Sequence, residues 1–274
     1  MTERKLIVVA DDLGASKSVN DGIIASFSEG IVTTSSLLVG MPNTDDGVKK
    51  AKQLNLPMGL HLRLTEGIPL TKGPIEVGLC DRGEFLPPKK FFFRLLKGGR
   101  QLVKAIQGEI RAQMNEFLMI TSKPDHLNTH HHIHLSPIVL DQILYAAKDL
   151  GFPALRWPVE SFFEFGSAVR NAEVIAFNLL AYLGQNKINN SGIITTDNFM
   201  GIRLMDGRLT TSALYDKIVR LPLGVTELMV HPRLCSDAAA DGVIEAKTLC
   251  NHKLKDILNK NKIHLTSFRK AYNI

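Results

Sequence analysis

Carboxylate and imidazole side chains occur at apolar stretches in three parts of the sequence. Asp11 and Asp12 follow one such run, His61 lies in a leucine-rich run, and four histidines lie between residues 130 and 134. The carboxyl ends of parallel strands meet at one mouth of a β/α barrel, so three strands can bring an aspartate and two histidines around one ion. We therefore predict a site for one divalent metal ion.

The adjacent aspartates are the first part of this prediction. Neighbouring carboxylates repel each other and resist joint ionisation unless a cation is present. A divalent ion allows Asp11 and Asp12 both to stay charged, one as a ligand and the other as a general base. The alternative is a helix cap or a turn, and the two histidine-bearing runs favour the metal site over it. The residues alone leave open which aspartate is the ligand.

The histidines supply the remaining ligands. His61 lies on the polar face of a strand predicted over residues 58–64, and in a barrel this face points inward. If residues 126–134 form a strand, His130 and His134 are about 13 Å apart and cannot share an ion. We therefore expect one, or at most two, of these histidines to be a ligand and choose His130. The other histidines are expected to support it, to line the pocket or to begin the next loop. A histidine-rich surface patch is the alternative.

His231 is a candidate general acid. It follows a strand predicted over residues 226–230 and precedes Pro232. A histidine at the mouth of the site is suited to proton transfer near neutral pH. A structural histidine at a strand end fits the spacing equally well.

Apolar strand-like runs alternate with helical periods along the chain and predict the elements that position these residues. Strands are predicted at 6–10, 31–39, 58–64, 126–134, 154–158, 192–198, 226–230 and 263–268. Helices are predicted at 19–29, 46–54, 101–121, 137–150, 167–183, 211–221 and 244–259, with an irregular stretch at 65–90. This alternation predicts an α/β protein, a parallel barrel of seven or eight strands in a single domain over residues 1–274.

Composition narrows the class of protein. The 274 residues are 45% hydrophobic and 22% charged, and the mean hydropathy is +0.03, which is typical of a soluble globular protein. No run reaches membrane-spanning length, and the start of the chain has no signal-peptide pattern. Three widely spaced cysteines form neither a disulfide framework nor a zinc pattern, which favours a cytoplasmic location. The net charge of +6, without a basic block interleaved with aromatic residues, predicts no nucleic-acid partner.

One segment combines aromatic and basic residues. Residues Phe91–Lys97 read Phe-Phe-Phe-Arg-Leu-Leu-Lys, with further lysines and arginines on both sides. We favour the start of an amphipathic helix that packs on the barrel. The alternative is a lid or a patch in peripheral contact with a lipid interface.

Several segments, in order, resemble the YdjC-like carbohydrate deacetylase family, which includes chitooligosaccharide deacetylases. The segments that carry the resemblance are residues 10–14, 20–24, 30–37, 59–62, 65–70, 125–134 and 226–232. The resemblance covers most of the chain and implies a distorted (β/α) barrel. It also implies that the substrate is an N-acetylated amino sugar, and it leaves a homodimer open.

The resemblance also implies a role for each candidate residue. Asp12, His61 and His130 would bind one divalent ion, magnesium or zinc, while Asp11 would be the base and His231 the acid. The division of roles between the two aspartates comes from the family. The implied reaction is metal-assisted hydrolysis of an N-acetyl group on an amino sugar.

Three positions depart from the family pattern. Leu13 stands where the family usually has Phe, Asn128 where chitooligosaccharide deacetylases have Asp, and Arg233 where a small residue is usual. Asn128, together with the Phe91–Phe93 stretch and the helix that begins at Pro137, resembles the hopanoid-biosynthesis-associated branch. Those relatives are implied to deacetylate an N-acetylglucosaminyl hopanoid. A lipid-linked glycan as substrate would account for the aromatic and basic residues of the Phe91–Lys97 segment.

Two other functions compete with this one. A metal-dependent phosphoesterase also uses clustered His and Asp, but it needs a basic phosphate clamp, for which Arg63 and Arg156 are the candidates. A barrel that binds a sugar or lipid without turning it over is the non-enzymatic alternative, and the intact set of candidate residues argues against it.

Overall fold

Parallel strands form the centre of the molecule in the computed structural model, which describes residues 3–161, 167–235 and 240–274. The strands are β1 (Arg4–Leu13), β2 (Thr34–Leu37), β3 (Met58–Leu62), β4 (Cys80–Asp81), β5 (Glu84–Phe85), β6 (Leu127–Thr129), β7 (Asn198–Met200), β8 (Gly224–Val230) and β9 (Ile263–Leu265). The helices are α1 (Lys17–Ser28), α2 (Thr44–Gln53), α3 (Gly73–Glu76), α4 (Pro88–Leu96), α5 (Arg100–Ile120), α6 (Pro137–Leu150), α7 (Ala168–Ser191), α8 (Thr211–Val219), α9 (Ala240–Leu249), α10 (His252–Lys260) and α11 (Phe268–Tyr272). Short 3₁₀ turns cover His130–Leu135 and Ile202–Leu204.

Seven of the described strands form one sheet in the order β6-β3-β2-β1-β8-β7, with β9 beside β1. Every pairing in this sheet is parallel. Between β6 and β7 the ring continues through single bridges, Leu127 to Leu155, Ala154 to Ile194 and Glu160 to Phe199. The prediction of an α/β fold built as a distorted parallel barrel is confirmed, and the distortion lies where bridges replace regular strands.

The alternation of side chains along β1 decides which residues reach the barrel interior. Leu6, Val8 and Ala10 pack in the large core between the sheet and the helices. Ile7 and Val9 pack on the opposite side in a small inner cluster, which includes Phe268 at the start of α11. Because side chains alternate with a period of two, the next residue on the inner side is Asp11.

The predicted strand over residues 126–134 is wrong in its second half. The strand ends at Thr129, and the chain continues as a 3₁₀ turn in which His131 and His132 have positive φ angles of 57° and 51°. A strand spacing therefore does not apply to the four histidines. Non-glycine residues seldom take this conformation, and nothing in the sequence signals two in succession.

Other boundaries also differ from the predictions. The stretch predicted as irregular contains α3, the antiparallel hairpin β4–β5 and the start of α4. The single helix predicted over residues 244–259 is divided into α9 and α10, because the Asn251 side chain accepts a hydrogen bond from the Lys253 backbone and caps a new helix. The strand predicted over residues 154–158 is present only as isolated bridges.

The aromatic segment forms α4, as the favoured interpretation predicted. Phe91 and Leu95 are buried in the core, whereas Phe93 is 70% and Leu96 is 82% exposed. The helix thus packs on the barrel through one face and presents apolar side chains on another. No helix among the described residues is long and apolar enough to cross a membrane.

Candidate metal centre and active site

Three side chains at the mouth of the barrel form a nearly equilateral triangle. Asp12 is the penultimate residue of β1, His61 lies in β3, and His130 follows β6. The Asp12 carboxylate oxygen Oδ1 is 3.2 Å from His61 Nε2 and 3.2 Å from His130 Nδ1. The two ring nitrogens are also 3.2 Å apart. These atoms lie close enough together to hold one metal ion.

Neighbouring groups orient both rings toward the centre of this triangle. Asn128 donates its amide hydrogens to Asp11 and Ser36, so its oxygen Oδ1 accepts from His61 Nδ1 at 2.6 Å. His130 Nε2 lies 2.6 Å from a carboxylate oxygen of Glu66, which can only accept. A neutral ring that donates through one nitrogen has a lone pair on the other. When both rings are neutral, both lone pairs therefore face Asp12, as in many metal sites.

The triangle fits a cation. Without a proton or a cation between them, two lone pairs and a carboxylate oxygen repel one another at 3.2 Å, and Asp12 Oδ1 is buried. Donor atoms at about 2.1 Å from an ion, at angles between tetrahedral and octahedral, lie about 3.0–3.4 Å from each other. One carboxylate and two imidazoles are also the donor types that divalent zinc prefers. The residues present are therefore suited to a divalent metal ion.

The charges around the triangle also favour a positive charge at its centre, between Asp12, His61 and His130. Burial lowers the pKa of His130, but the attraction of Asp12 and Glu66 is stronger and raises it to about 10. Burial acts in the opposite sense on Asp12, and the attraction of His130 and His61 holds the pKa of this carboxyl well below its ordinary value. A proton on His130 thus balances the carboxylates, which is the charge that a metal ion would otherwise supply.

The backbone separates the two aspartates. Asp12 has a φ angle of 71°, and the pairing of β1 with β2 is irregular between Ala10 and Leu13. The change of backbone direction breaks the alternation of the strand, so Asp11 stays in the barrel interior while Asp12 faces the mouth. The chain can then give the two neighbouring carboxylates different surroundings.

Asp11 is held by donors on several sides. Its Oδ1 accepts hydrogen bonds from Ser36 at 2.9 Å, from Asn128 at 2.9 Å and from Arg156 at 3.1 Å. A second guanidinium nitrogen of Arg156 bonds to Oδ2, and Arg156 Nε bonds to Glu227 at 2.5 Å. Burial raises the pKa of Asp11, but the attraction of Arg156 outweighs it and holds this pKa far below its ordinary value. Asp11 is therefore ionised at neutral pH.

His231 lies beside Asp11 at the end of β8. Its Nε2 is 3.9 Å from Asp11 Oδ2, and its side chain is 23% exposed. The His231 backbone N–H donates to Glu245 at 2.5 Å, which fixes this part of the chain. Of the two Asp11 oxygens, Oδ2 has fewer hydrogen bonds and faces His231.

A cavity of about 550 Å³ unites these groups. All five predicted residues, Asp11, Asp12, His61, His130 and His231, contribute to its lining. Six apolar side chains also line it, namely Pro88, Phe92, Phe177, Ile202, Met205 and Met229. A larger cavity of about 880 Å³ lies elsewhere, beside Trp157 and Arg220, and the predicted residues take no part in its described lining.

Sequence reasoning missed the groups that surround the predicted residues. Ser36, Glu66 and Glu227 carried no signal of their own, because their partners are distant in the chain. Arg156 was considered only as a phosphate clamp, although an arginine in an apolar stretch indicates a buried partner. Asn128 was noted as a departure from a family pattern, and its bridging role between His61 and Asp11 appears only in three dimensions.

Comparisons with known proteins bear on the family and the fold of this chain. The sequence pattern of a family described as YdjC-like protein matches residues 5–260. A carbohydrate deacetylase from Brevibacillus brevis is 31% identical over 278 residues, covering 96% of this chain and 98% of the relative. A carbohydrate deacetylase from Clostridium beijerinckii is 29% identical over 275 residues, covering 97% and 99%. A crystal structure from Enterococcus faecalis V583 has a TM-score of 0.76 at 22% identity, covering 98% of each chain, and shares the fold.

Proposed function

The chain belongs to the YdjC-like family, and from this premise we propose that it is a metal-dependent carbohydrate deacetylase acting on an N-acetylglucosaminyl group. One observation carries the proposal. The triangle of Asp12, His61 and His130 and the Asp11–His231 pair line the same cavity. A cation site beside a carboxylate and a histidine is suited to metal-assisted amide hydrolysis.

In this proposal Asp12, His61 and His130 hold the divalent ion. When bound, the ion supplies a Lewis acid that polarises the acetamide carbonyl and makes a neighbouring water more acidic. Two imidazoles and one carboxylate favour zinc over magnesium, because magnesium prefers oxygen ligands alone. Asn128 and Glu66 keep the two rings in the orientation that the ion needs.

Asp11 and His231 move the protons. Asp11 Oδ2, which is less occupied by hydrogen bonds than Oδ1, accepts a proton from water as the water oxygen attacks the acetamide carbon. His231 gives a proton to the amine nitrogen as the carbon–nitrogen bond breaks. The products are acetate and a free amino sugar. Arg156 and Ser36 position the Asp11 carboxylate and do not take part in proton transfer.

We extend the proposal to a glycan carried on an apolar lipid of the hopanoid class. The apolar lining formed by Phe92, Phe177 and Met205 supports a substrate with an apolar part. Exposed Phe93 and Leu96 on α4 lie on the helix that also contributes Phe92 to the cavity. Such a substrate would bring α4 into peripheral contact with a membrane surface.

The two arginines that the phosphoesterase alternative would use as a phosphate clamp are both engaged in other contacts. Arg156 is buried and paired with Asp11 and Glu227. Arg63 is also buried, and its guanidinium donates to the backbone oxygens of Glu66 and Ile68. Neither cation is free to bind a phosphate.

Acetate release tests the proposed function. Protein stripped with a chelator and then given zinc or magnesium is incubated with soluble and lipid-linked N-acetylglucosaminyl substrates. We expect acetate only with restored metal, and none from His130→Ala. His252→Ala, which changes an exposed histidine of α10, serves as the control and should retain full activity. Stoichiometric metal binding without acetate from any substrate would refute the proposal, and phosphate release from model esters would replace it.

A further inference from the structure

The turn after β6 places a histidine in the cavity for which the proposed reaction has no use. His132 lines the cavity, and its side chain is only 7% exposed. Its ring nitrogen Nδ1 is buried with no hydrogen-bond partner. Buried polar groups normally find partners, so the unpaired Nδ1 restricts where the ring can hold its proton.

The protonation of this ring follows from its surroundings. A neutral imidazole carries one proton, either on Nδ1 or on Nε2. A proton on Nδ1 would leave a buried N–H donor without an acceptor, which costs more than an unpaired lone pair. The proton therefore resides on Nε2, and the N–H of this nitrogen is the donor that the ring can offer to the cavity.

The ring is also held firmly in place. Phe177 lies edge-on at 5.3 Å between ring centroids, and Phe199 lies edge-on at 6.1 Å. The backbone of His132 has a φ angle of 51°, a costly conformation for a side chain of this size. A donor fixed by two aromatic rings and by its backbone loses little conformational entropy when it binds a ligand.

We propose that His132 donates a hydrogen bond from Nε2 to an oxygen of the amino-sugar substrate, an assignment that rests on the proposed deacetylase function. The acceptor is a sugar hydroxyl or the acetamido oxygen, which share the same chemistry. His132 is then a residue that positions the substrate, separate from the Asp12, His61 and His130 set.

A matched pair of substitutions tests this role. His132→Phe keeps the aromatic packing and removes the donor, and His132→Gln returns an amide donor close to the position of Nε2. His134→Phe is the control, because His134 is also buried with an unpaired ring nitrogen and contacts His132, but takes no part in the described cavity lining. Metal content and melting temperature are measured for every variant.

We expect His132→Phe to raise KM by about three- to tenfold, the effect of one neutral hydrogen bond. His132→Gln should recover most of this loss, and His134→Phe should leave KM unchanged. Equal losses in His132→Phe and His134→Phe, or no recovery in His132→Gln, would show a structural role and overturn the proposal. Nitrogen-15 NMR of the wild-type protein gives an independent readout, since a proton on Nδ1 of His132 would also overturn it.

Binding experiments separate this proposal from the proposed function. Ligand-observed NMR compares N-acetylglucosamine with glucosamine on the wild type and on His132→Phe. Weaker binding of both sugars in the variant identifies a hydroxyl as the acceptor, and weaker binding of N-acetylglucosamine alone identifies the acetamido oxygen. If the wild type releases acetate and His132→Phe is unaffected, only the His132 assignment fails. If the wild type binds neither sugar and releases no acetate, both fail.

Discussion

Asp11 and Asp12 are neighbours in the chain and opposites in their surroundings. Asp11 is surrounded by donors from Ser36, Asn128 and Arg156. Asp12 Oδ1 is buried and faces ring nitrogens of two histidines, each at 3.2 Å. The charge of the first carboxylate is stabilised by fixed donors and Arg156, whereas that of the second depends on a positive charge at the triangle, which a proton on His130 or a bound cation can supply. The comparison explains how one dipeptide can supply both a metal ligand and a base.

The largest expected effect comes from exchanging the two carboxylates for amides one at a time. Asp12→Asn should lose metal and activity together. Asp11→Asn should retain the metal and lose about 10²–10⁴ in kcat, the contribution of a general base. Metal analysis of the purified variants, combined with acetate release, checks the difference. Loss of metal in Asp11→Asn with retention in Asp12→Asn would reverse the two roles.

Removing the cation beside Asp11 tests whether the protein stabilises that charge. Arg156→Met leaves the buried carboxyls of Asp11 and Glu227 without the cation that balances them, and we expect a loss of about 3–5 kcal/mol in the free energy of unfolding. Urea denaturation measures it. The control is Arg111→Met, which breaks an exposed pair with Asp149 and should cost no more than about 1 kcal/mol.

The pH dependence of this loss has a definite sign. The pKa of Asp11 is lowered in the folded state, so its contribution to stability is complete above the unfolded pKa of about 3.9 and is lost as the pH falls through the folded value. In Arg156→Met the two carboxyls can take up protons at higher pH. The difference in the free energy of unfolding between wild type and variant should therefore shrink as the pH is lowered toward 4. A difference that stays constant with pH would contradict the electrostatic explanation.

Asn128 contacts both Asp11 and the metal-site residue His61, and two substitutions can separate these contacts. Asn128→Ala removes the acceptor for His61, and we expect metal affinity to fall about 10–100-fold. Asn128→Asp keeps that acceptor but places a second carboxylate against Asp11. Metal affinity should then be retained while the acid limb of the kcat/KM profile moves to higher pH, because like charges raise the pKa. Metal titration and the pH profile report the two effects separately.

The smallest expected effect concerns Glu66. It accepts a hydrogen bond from His130, but its side chain is about half exposed, so solvent screens its charge. Glu66→Gln keeps an acceptor for the ring, and metal affinity should weaken by no more than about tenfold. Glu84→Gln on the exposed β5 strand is the control. A loss as large as that of Asp12→Asn would mean that Glu66 is itself a ligand.

Local sequence patterns were sufficient to predict several strands and the class of fold. The apolar run of β1 and the alternation along β3 predicted the strands that position Asp11 and His61, and the parallel barrel followed from the order of the elements. The turn at His130–Leu135 could not be predicted, because histidines carry no signal for two successive positive φ angles. The Arg156–Asp11 contact joins residues 145 positions apart, and no local pattern records such a partner.

Three residues near the site, Asp12, His131 and His132, have φ angles of 71°, 57° and 51°. This conformation is sterically unfavourable for an L-amino acid with a side chain, so the surrounding structure must impose it. Transplanting the side chains onto another barrel would therefore not reproduce the site. A designer would have to graft the end of β1 and the complete turn after β6 as backbone units, with the packing that enforces them. For protein engineering, the unit to transfer is therefore the backbone conformation of these two segments together with the side chains that they carry.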